Sequence, residues 1–346
     1  MGNPEVSRRY LDDKLSAIPR VGLADYPSPL LPLPRLSRDL GWPLWIKRDD
    51  LLGPAPGGNK VRKLEYILAE ALASGATRLA TFGGMQSNHA RMTAAAGRRL
   101  GFETHIFCFE SRPSRMAGNM LLNELYGAKV HFLPIGGGSG GIRLETANRL
   151  VKWLARIQAR GSYFVPVGGH SWRGCLGYAA AALELDAQAR GLGIGEARLV
   201  LAAGTGGTLA GLMAGLFLCE SGLKPLAIDV GKLWRAFPES IARLAGEICV
   251  RLGTPQRFAP ADVPLIEGRY VGSRYGLPSD SGNSAMQLLG RTEGILLDPV
   301  YTAKAFGGLT DLIARGEIEA GMPVIFLHTG GLPGIFGFGS GQLGLQ

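Results

Sequence analysis

Short apolar segments alternate with helical patterns along most of this 346-residue chain, and this alternation restricts the fold more than any other feature. Residues 78–82 predict a buried strand, and residues 88–100 carry the spacing of a helix. Strands that alternate with helices favour parallel sheets, which bind ligands at the carboxyl ends of their strands. We therefore expect an α/β fold in which parallel-rich, twisted sheets are flanked by helices.

The same two patterns extend over the rest of the chain. Further strands are predicted at residues 44–47, 103–109, 129–133, 163–166, 197–202, 224–230 and 323–327. Further helices are predicted at residues 63–74, 117–126, 146–160, 176–189, 209–219 and 303–315. The glycine-rich residues 136–141 are interpreted as a surface loop.

Composition narrows the class of protein. Hydrophobic residues make up 46% of the chain and charged residues 19%, which is enough to build a core and excludes a disordered chain. The net charge of +9 could attract an anionic partner, but the arginines are scattered and form no basic run or nucleic-acid module. We therefore expect no nucleic-acid partner.

Cysteine spacing and the amino-terminal segment bear on the cellular compartment. The cysteines show no spacing typical of metal ligands, so we expect free thiols in a reducing compartment and no metal site. Residues 1–19 lack the apolar region of a signal peptide, and no apolar segment reaches membrane-spanning length. These features predict a cytoplasmic protein with no membrane partner. The cysteines are Cys108, Cys175, Cys219 and Cys249.

A lysine in a glycine turn is the first candidate for chemistry. Lys60 lies within the segment G-G-N-K-V-R-K at the start of a predicted helix. The positive end of a helix lowers the pKa of a nearby amine and so favours the free base, which can attack a carbonyl group. Taken alone, the motif favours a solvated lysine at a helix start.

Three more glycine-rich segments follow predicted strands. In residues 83–89, Gln86, Ser87 and Asn88 together with helix-start N–H groups could receive a carboxylate, and Ser87 or Asn88 could also cap the helix. The G-T-G-G-T segment at residues 204–208 resembles a phosphate cradle without the lysine of a P-loop, although a packing turn would look the same. The last segment places the hydroxyl of Thr329 after the final strand.

A phosphate cradle, a lysine, a carboxylate receptor and a terminal hydroxyl together meet the needs of pyridoxal 5'-phosphate carrying an amino acid. The chain resembles the family of D-cysteine desulfhydrase and 1-aminocyclopropane-1-carboxylate (ACC) deaminase, which belongs to the tryptophan-synthase-β-like, fold type II enzymes. The resemblance covers nearly the whole chain. Its motifs are, in order, W-I-K-R-D-D, G-G-N-K-V-R-K-L-E, G-G-M-Q-S-N-H, P-V-G-G, G-T-G-G-T-L-A-G, R-Y-G-L-P, T-E-G-I-L-L-D-P-V-Y-T and H-T-G-G.

The resemblance implies an organisation of the chain. A small domain at residues 54–166 is inserted into a large cofactor-binding domain made of residues 1–53 and 167–346, and the cofactor lies in the cleft between them. Related enzymes are usually homodimers and act on small amino acids, so we expect the same here.

The resemblance also implies roles for single residues. Lys60 matches the lysine that holds the cofactor as an internal aldimine and later takes the α-proton of the substrate. Ser87, Tyr275 and Tyr301 are the other expected catalytic residues, and the two tyrosines flank the substrate. The expected cofactor-binding residues are Lys60, Asn59, Asn88, Gly204, Thr205, Gly206, Gly207, Thr208 and Thr329. The expected substrate-binding residues are Gln86, Ser87, Asn88, His89 and Thr302.

Two threonines indicate the reaction. In the ACC deaminase branch of the family, a glutamate follows the last tyrosine and a leucine precedes the final Gly-Gly pair. This chain has Thr302 and Thr329 at those positions, and two hydroxyl groups suit β-elimination of a thiol. The resemblance thus predicts a lyase that converts D-cysteine to pyruvate, ammonia and sulfide. The alternatives are an ACC deaminase that yields 2-oxobutanoate, an L-cysteate sulfo-lyase, and a cofactor- or amino-acid-binding protein without turnover.

Two segments depart from the family pattern. Residues 170–173 are His-Ser-Trp-Arg in place of a smaller stretch, and Ser273 and Arg274 precede Tyr275. Arg173 and Arg274 could complement a second negative charge on a substrate, such as the sulfonate of cysteate, or could point into solvent.

Overall fold

The computed structural model describes residues 4–54, 56–135 and 143–345, so the predicted loop at residues 136–141 lies outside the described residues. The helices are α1 (Pro4–Ser16), α2 (Pro34–Leu40), α3 (Lys60–Ala73), α4 (Asn88–Arg99), α5 (Asn119–Leu125), α6 (Leu144–Gln158), α7 (Trp172–Gly191), α8 (Gly207–Leu218), α9 (Phe237–Arg251), α10 (Asp280–Glu293) and α11 (Thr302–Ala314). The strands are β1 (Leu30–Pro32), β2 (Leu44–Lys47), β3 (Arg78–Phe82), β4 (Glu103–Cys108), β5 (Lys129–Phe132), β6 (Tyr163–Phe164), β7 (Ala197–Ala203), β8 (Leu223–Asp229), β9 (Leu265–Ile266) and β10 (Val324–Leu327).

The larger sheet has helices on both faces. Its strand order is β1-β2-β10-β7-β8-β9, and every pair is parallel except β1 with β2. Successive side chains of a strand point to opposite faces, so Leu199 and Leu201 pack with α7, α8 and α9, whereas Val200 packs with α10 and α11. The predicted α/β class is confirmed.

The smaller sheet has the order β5-β4-β3-β6 and is parallel throughout. Leu79 of β3 packs with α3 and α4, and the next residue, Ala80, packs with α6 on the opposite face. All strands of this sheet come from residues 78–164, which lie within the small domain predicted at residues 54–166. The limits of the two domains stay a prediction.

Several helices begin earlier than predicted or were not predicted. Helix α3 begins at Lys60, three residues before the predicted start at residue 63. The prediction missed the first turn because charged side chains surround its one apolar residue, Val61. Helix α7 begins four residues early, where the Ser171 hydroxyl accepts a hydrogen bond from the Gly174 N–H and caps the helix. Helices α1, α2, α9 and α10 and strands β1 and β9 were not predicted.

A buried ionic network joins α3 to α7 and to the segment after β2. Arg62 donates to both carboxylate oxygens of Asp49, at 2.9 and 2.8 Å, and also to Glu184. The fully buried amine of Lys47 contacts Glu184. Burial by itself would raise the pKa of Asp49, but the adjacent guanidinium group of Arg62 holds it below its ordinary value. Each buried cation of this network therefore has a carboxylate partner.

The sequence analysis also made predictions about cysteines, membrane spans and metal sites. The four cysteines are buried and unpaired, as predicted. Within the described residues, no helix is long and apolar enough to cross a membrane. In the same part of the chain, no group of three or more histidine, cysteine, aspartate or glutamate side chains is arranged to hold a metal ion.

Candidate active site

Three loops at the carboxyl ends of parallel strands converge on one cavity, which we call the inner cavity. The loops follow β3, β7 and β10, and the first turn of α3 closes the cavity. The loops after β7 and β10 lie together because these parallel strands end at the same edge of the larger sheet, and the loop after β3, from the smaller sheet, lines the same cavity. The sequence-predicted residues that line the inner cavity are Asn59, Lys60, Ser87, Asn88, His89, Gly204, Thr205, Gly206, Thr208, Tyr275, Tyr301 and Thr329.

Lys60 is the first residue of α3, and its amine lies at the inner cavity. The Nζ atom donates a hydrogen bond to Oδ1 of Asn59 at 2.8 Å. Burial of the amine, together with the nearby charges of Lys63 and Arg91, lowers the pKa of Lys60 well below its ordinary value, although Asp298 opposes this shift. The predicted free base is therefore favoured by the surroundings of the amine.

The turn before Lys60 is held against the loop after β10. The N–H of Asn59 donates to the carbonyl oxygen of Thr329 at 3.0 Å, and Gly58 pairs with Gly330 in an isolated bridge. A side chain at Gly330 would place its Cβ 2.7 Å from Cα of Gly58. Only glycine allows this approach, which fixes Lys60 beside Thr329.

The segment between β7 and α8, predicted to be a phosphate cradle, forms a tight turn. Gly206 has a φ of +76°, and a Cβ there would lie 2.5 Å from Cγ1 of Ile241, so the turn requires glycine. The first N–H groups of a helix have no partner within the helix and attract anions. Gly204 and Thr205 line the cavity, and Thr208 accepts a hydrogen bond from Nδ2 of Asn59 at 3.3 Å. Gly207, also predicted at this site, does not line the cavity.

A second lysine beside the cradle was missed by the sequence analysis. Lys63 lies one turn after Lys60, is 1% exposed, lines the inner cavity and donates to the carbonyl oxygen of Gly168 at 3.1 Å. A Cβ on Gly207 would lie 3.1 Å from its Nζ atom. Burial lowers the pKa of Lys63 to about 8. The three-residue spacing from Lys60 on one helix was the available signal.

The segment after β3 forms one wall of the inner cavity. Ser87 caps α4 by accepting a hydrogen bond from the Ala90 N–H at 3.2 Å, so its predicted capping role is confirmed. Asn88 accepts a hydrogen bond from Nδ2 of Asn119 at 2.8 Å. His89 contacts the Thr81 hydroxyl through Nε2, and its buried Nδ1 atom has no hydrogen-bond partner. Burial lowers the pKa of His89 well below its ordinary value, so the ring is neutral.

Gln86 faces away from the inner cavity. Its carboxamide donates to the carbonyl oxygen of Ala117 and accepts from the N–H of Asn119. The residue lines a neighbouring cavity instead. Of the three residues that the sequence analysis grouped, Gln86 thus lies outside the inner cavity, Asn88 lines it, and Ser87 lines both cavities.

Two tyrosines form another wall of the inner cavity. The hydroxyl oxygens of Tyr275 and Tyr301 lie 2.5 Å apart. Burial raises the pKa of both hydroxyl groups, so both tyrosines are protonated near neutral pH. Asp298 fixes this wall, because its carboxylate accepts hydrogen bonds from the N–H groups of Val300 and Tyr301. The sequence analysis did not single out Asp298.

The prediction that Thr302 contacts the substrate does not fit its position in the structure. Thr302 is fully buried, does not line the inner cavity, and donates from Oγ1 to Oδ1 of Asp298 at 2.7 Å. Thr302 begins α11, and successive helical residues point about 100° apart, so it turns away from the cavity that Tyr301 faces. Thr329, the other threonine of the prediction, does line the cavity.

The two arginines singled out in the sequence differ in position. Arg173 bonds to Glu70 at 2.8 Å and lies over the ring of Trp172, and it lines neither the inner cavity nor its neighbour. Arg274 lines the neighbouring cavity. Of the two, only Arg274 is near the path to the site.

Comparison with known proteins agrees with this geometry. The family model described as "Pyridoxal-phosphate dependent enzyme" matches residues 21–330, and the chain belongs to this family. D-cysteine desulfhydrase of Yersinia enterocolitica is 37% identical over 337 residues, covering 95% of this chain and 98% of that protein. D-cysteine desulfhydrase of Salmonella schwarzengrund is also 37% identical, covering 94% of this chain and 97% of that protein.

Solved structures are also similar to this chain. The structure of an "ACC deaminase homologue" superposes with a TM-score of 0.85 at 35% identity, covering 97% of this chain and 99% of that one. Diaminopropionate ammonia lyase of Escherichia coli has a TM-score of 0.64 at 19% identity over 95% of this chain and 88% of that one, and so shares the fold.

The residues of the inner cavity fit the cofactor of this family. A phosphate requires N–H donors and positive charge, which the glycine turn before α8 and the amine of Lys63 provide. An aldehyde requires a free amine, which Lys60 provides. No described carboxylate forms an ion pair with either amine, so both remain available to an anionic ligand.

Proposed function

We propose that this protein is a lyase that removes the β-substituent of a small amino acid and converts D-cysteine to pyruvate, ammonia and sulfide. The observation that carries the proposal is the amine of Lys60, which has no carboxylate partner among the described residues and lies in one cavity with the predicted phosphate cradle. The substrate is proposed from the 37% identity with D-cysteine desulfhydrases over almost the whole chain. A homodimer and a cytoplasmic location belong to the same proposal.

Pyridoxal 5'-phosphate, when bound, stabilises negative charge at the α-carbon of an amino acid. The glycine turn before α8 and Lys63 would hold its phosphate, while Lys60 and Asn59 would lie at its reactive end. Thr329 also lines the inner cavity. It would offer the bound cofactor a hydroxyl group and not an ionisable side chain.

The neutral amine of Lys60 is the base that accepts the α-proton of the substrate. Burial keeps the amine unprotonated, and the hydrogen bond to Asn59 orients it. A protein amine with an ordinary pKa would be protonated at neutral pH and could not act as a base. The lowered pKa of Lys60 is thus a requirement of the proposed chemistry.

The walls of the cavity bind the substrate and supply a proton to the leaving group. The first turn of α4, with Ser87 and Asn88, offers donors to the substrate carboxylate. Tyr275 and Tyr301 are protonated, so a hydroxyl group of the pair can donate a proton to the departing sulfur. In sum, D-cysteine and water give pyruvate, ammonium and hydrogen sulfide.

ACC ring opening is the second candidate function, because the chain is 35% identical to the "ACC deaminase homologue". Only Thr329 of the two threonines lines the inner cavity, so the argument for thiol elimination depends on that residue. Cysteate cleavage loses one of its two supports, since Arg173 is bonded to Glu70, whereas Arg274 lines the neighbouring cavity.

Product analysis of the purified, cofactor-loaded enzyme tests the proposal. D-cysteine, L-cysteine, L-cysteate and ACC are offered separately, and the oxo acid and released anion are measured. Pyruvate with sulfide from D-cysteine is expected, and the Lys60→Ala variant should form neither. 2-Oxobutanoate from ACC, or sulfite from L-cysteate, without turnover of D-cysteine would overturn the proposal.

A further inference from the structure

A second cavity, which we call the outer cavity, adjoins the inner one. The two cavities share Gly84, Ser87, Tyr275 and Tyr301 in their walls, so they are adjacent, with the tyrosine pair between them. The outer cavity is also lined by Met85, Glu110, Lys232, Arg274, Leu277 and Phe338, among others.

The outer cavity is larger than the proposed substrate requires. Its volume is about 670 Å³, compared with about 70 Å³ for the inner cavity. D-cysteine has a single heavy atom beyond its β-carbon, far less than a cavity of this volume can hold. A longer substituent on the sulfur would pass Tyr275 and Tyr301 and enter the outer cavity.

Two cations line the outer cavity. Lys232 and Arg274 have no side-chain hydrogen bond or ion pair with any described residue, and both side chains are exposed. Glu110 is the acidic residue of the wall, and its carboxylate accepts a hydrogen bond from the Cys108 thiol. The described wall therefore carries an excess of positive charge, with both cations available to an anion.

Both cations stand on anchored loops. The Asp229 carboxylate accepts hydrogen bonds from the N–H groups of Gly231 and Lys232, and Lys232 has a left-handed φ of +51°. The buried amine of Lys304 donates to the carbonyl oxygen of Val271 at 2.6 Å and so holds the loop that carries Arg274. Cations on fixed loops lose less entropy when they bind a ligand than cations on mobile loops.

Apolar side chains also line the outer cavity. Val271 and Val300 are buried in the wall, and Met85, Leu277 and Phe338 complete its apolar part. This surface suits a short hydrocarbon chain, whereas the cations suit a carboxylate at the end of that chain.

We infer that the outer cavity selects S-substituted cysteines whose thioether chain ends in an anionic group. This inference rests on the proposed elimination at the inner cavity. The Cβ–S bond of the conjugate breaks, the sulfur keeps the bonding electron pair and gains a proton, and water supplies the oxygen of pyruvate. One S-substituted cysteine and one water thus give one thiol, one pyruvate and one ammonium ion.

Two conjugates of matched shape test the inference. S-(2-carboxyethyl)-D-cysteine and S-(2-carbamoylethyl)-D-cysteine differ in charge but hardly in size. The acid should have a kcat/KM about tenfold higher than the amide at low ionic strength, and added salt should lower this ratio toward one. Titration of the visible spectrum of the cofactor-loaded enzyme gives the corresponding ratio of dissociation constants, independently of turnover.

Three variants locate the effect. Arg274→Gln and Lys232→Asn should each lower the ratio between acid and amide to about threefold. Asparagine is chosen for position 232 because it tolerates a left-handed backbone. Arg235→Gln removes the same charge from an exposed residue that does not line the outer cavity, and should leave the ratio unchanged. The melting temperature of each variant reports whether it is folded.

The outcomes separate the inference from the proposed function. If D-cysteine is turned over but neither conjugate binds or reacts, the inference is wrong and the proposed function stands. A wild-type ratio near one, or an equal decrease in Arg235→Gln, also overturns it. If the acid conjugate is preferred while D-cysteine gives no pyruvate, the inference holds and D-cysteine is not the substrate. If no compound binds or reacts, both are wrong.

Discussion

Helix α3 carries basic side chains on two faces, and the faces differ in what surrounds the nitrogen atoms. On one face, Arg62 contacts the carboxylates of Asp49 and Glu184. On the other, within the described part of the chain, Lys60 and Lys63 donate to an amide oxygen and a backbone carbonyl oxygen and form no ion pair. A buried cation without a counter-ion is costly and lowers its own pKa. The carboxylates thus mark the structural face, and the other face lies toward the proposed cofactor site.

The largest effect is expected at Lys60. Lys60→Ala should lower turnover of the cofactor-loaded enzyme by at least about a thousandfold, because the base for the α-proton is lost. Lys60→Arg should be as inactive, since a guanidinium group stays protonated. Steady-state pyruvate formation measures both, and the melting temperature shows that the variants fold. Turnover within about tenfold of wild type in Lys60→Ala would contradict the role of this amine.

Substitutions on the opposite face of α3, around Arg62, should affect the stability of the protein and not its catalytic activity. Asp49→Ala leaves Arg62 and Tyr178 without their bonds to this carboxylate and should lower the free energy of unfolding by about 3–5 kcal/mol. Urea unfolding of the cofactor-free enzyme measures the change. Glu317→Gln removes an exposed partner of Arg269 and should leave the unfolding midpoint unchanged. Equal effects of the two substitutions would contradict a structural role for the buried network.

A smaller effect is expected at Lys63. Lys63→Met should weaken cofactor binding about tenfold to a hundredfold, because a charged hydrogen bond to the phosphate is lost. Equilibrium dialysis followed by absorbance of the retained cofactor gives the affinity. Lys152→Met, at an exposed position of α6, provides the control. Unchanged affinity in Lys63→Met would separate Lys63 from the phosphate cradle.

The smallest effect concerns pH. The pKa of Lys63 is about 8 in the folded protein, below the ordinary value of 10.5. Between these values the unfolded chain holds a proton that the folded protein lacks, so stability rises with pH, by at most about 1.4 kcal/mol per pH unit. Urea unfolding of cofactor-free wild type should show this rise relative to Lys63→Met. Parallel pH profiles of the two proteins would contradict the lowered pKa.

Loops that follow strands were predictable from the sequence. The segments at residues 83–89 and 204–208 each follow an apolar run and end in a helix, so each was placed at the carboxyl end of a parallel strand, the first in the smaller sheet and the second in the larger. The spacing of Lys60 within its glycine turn placed it at a helix start, as observed. Pattern and topology were sufficient because these positions depend on the backbone.

Side-chain direction was not predictable in the same way. Tyr301 and Thr302 are adjacent in sequence, yet the first lines the inner cavity and the second bonds to Asp298. Gln86 lines only the outer cavity, whereas its neighbour Ser87 lines both cavities. Helix α10 was missed because it is polar, with buried apolar residues at only three positions, namely Ala285, Met286 and Leu289. The apolar stripe of α9, by contrast, was present in the sequence and overlooked.

The contact between Tyr275 and Tyr301 contains two hydroxyl groups but one hydrogen bond. Whichever tyrosine donates within the pair leaves the hydrogen of its partner free to turn toward another acceptor. Reversing the bond moves the available hydrogen from one oxygen to the other without displacement of a heavy atom. The wall between the two cavities thus has two interchangeable proton positions, and the location of the departing atom decides which one is used.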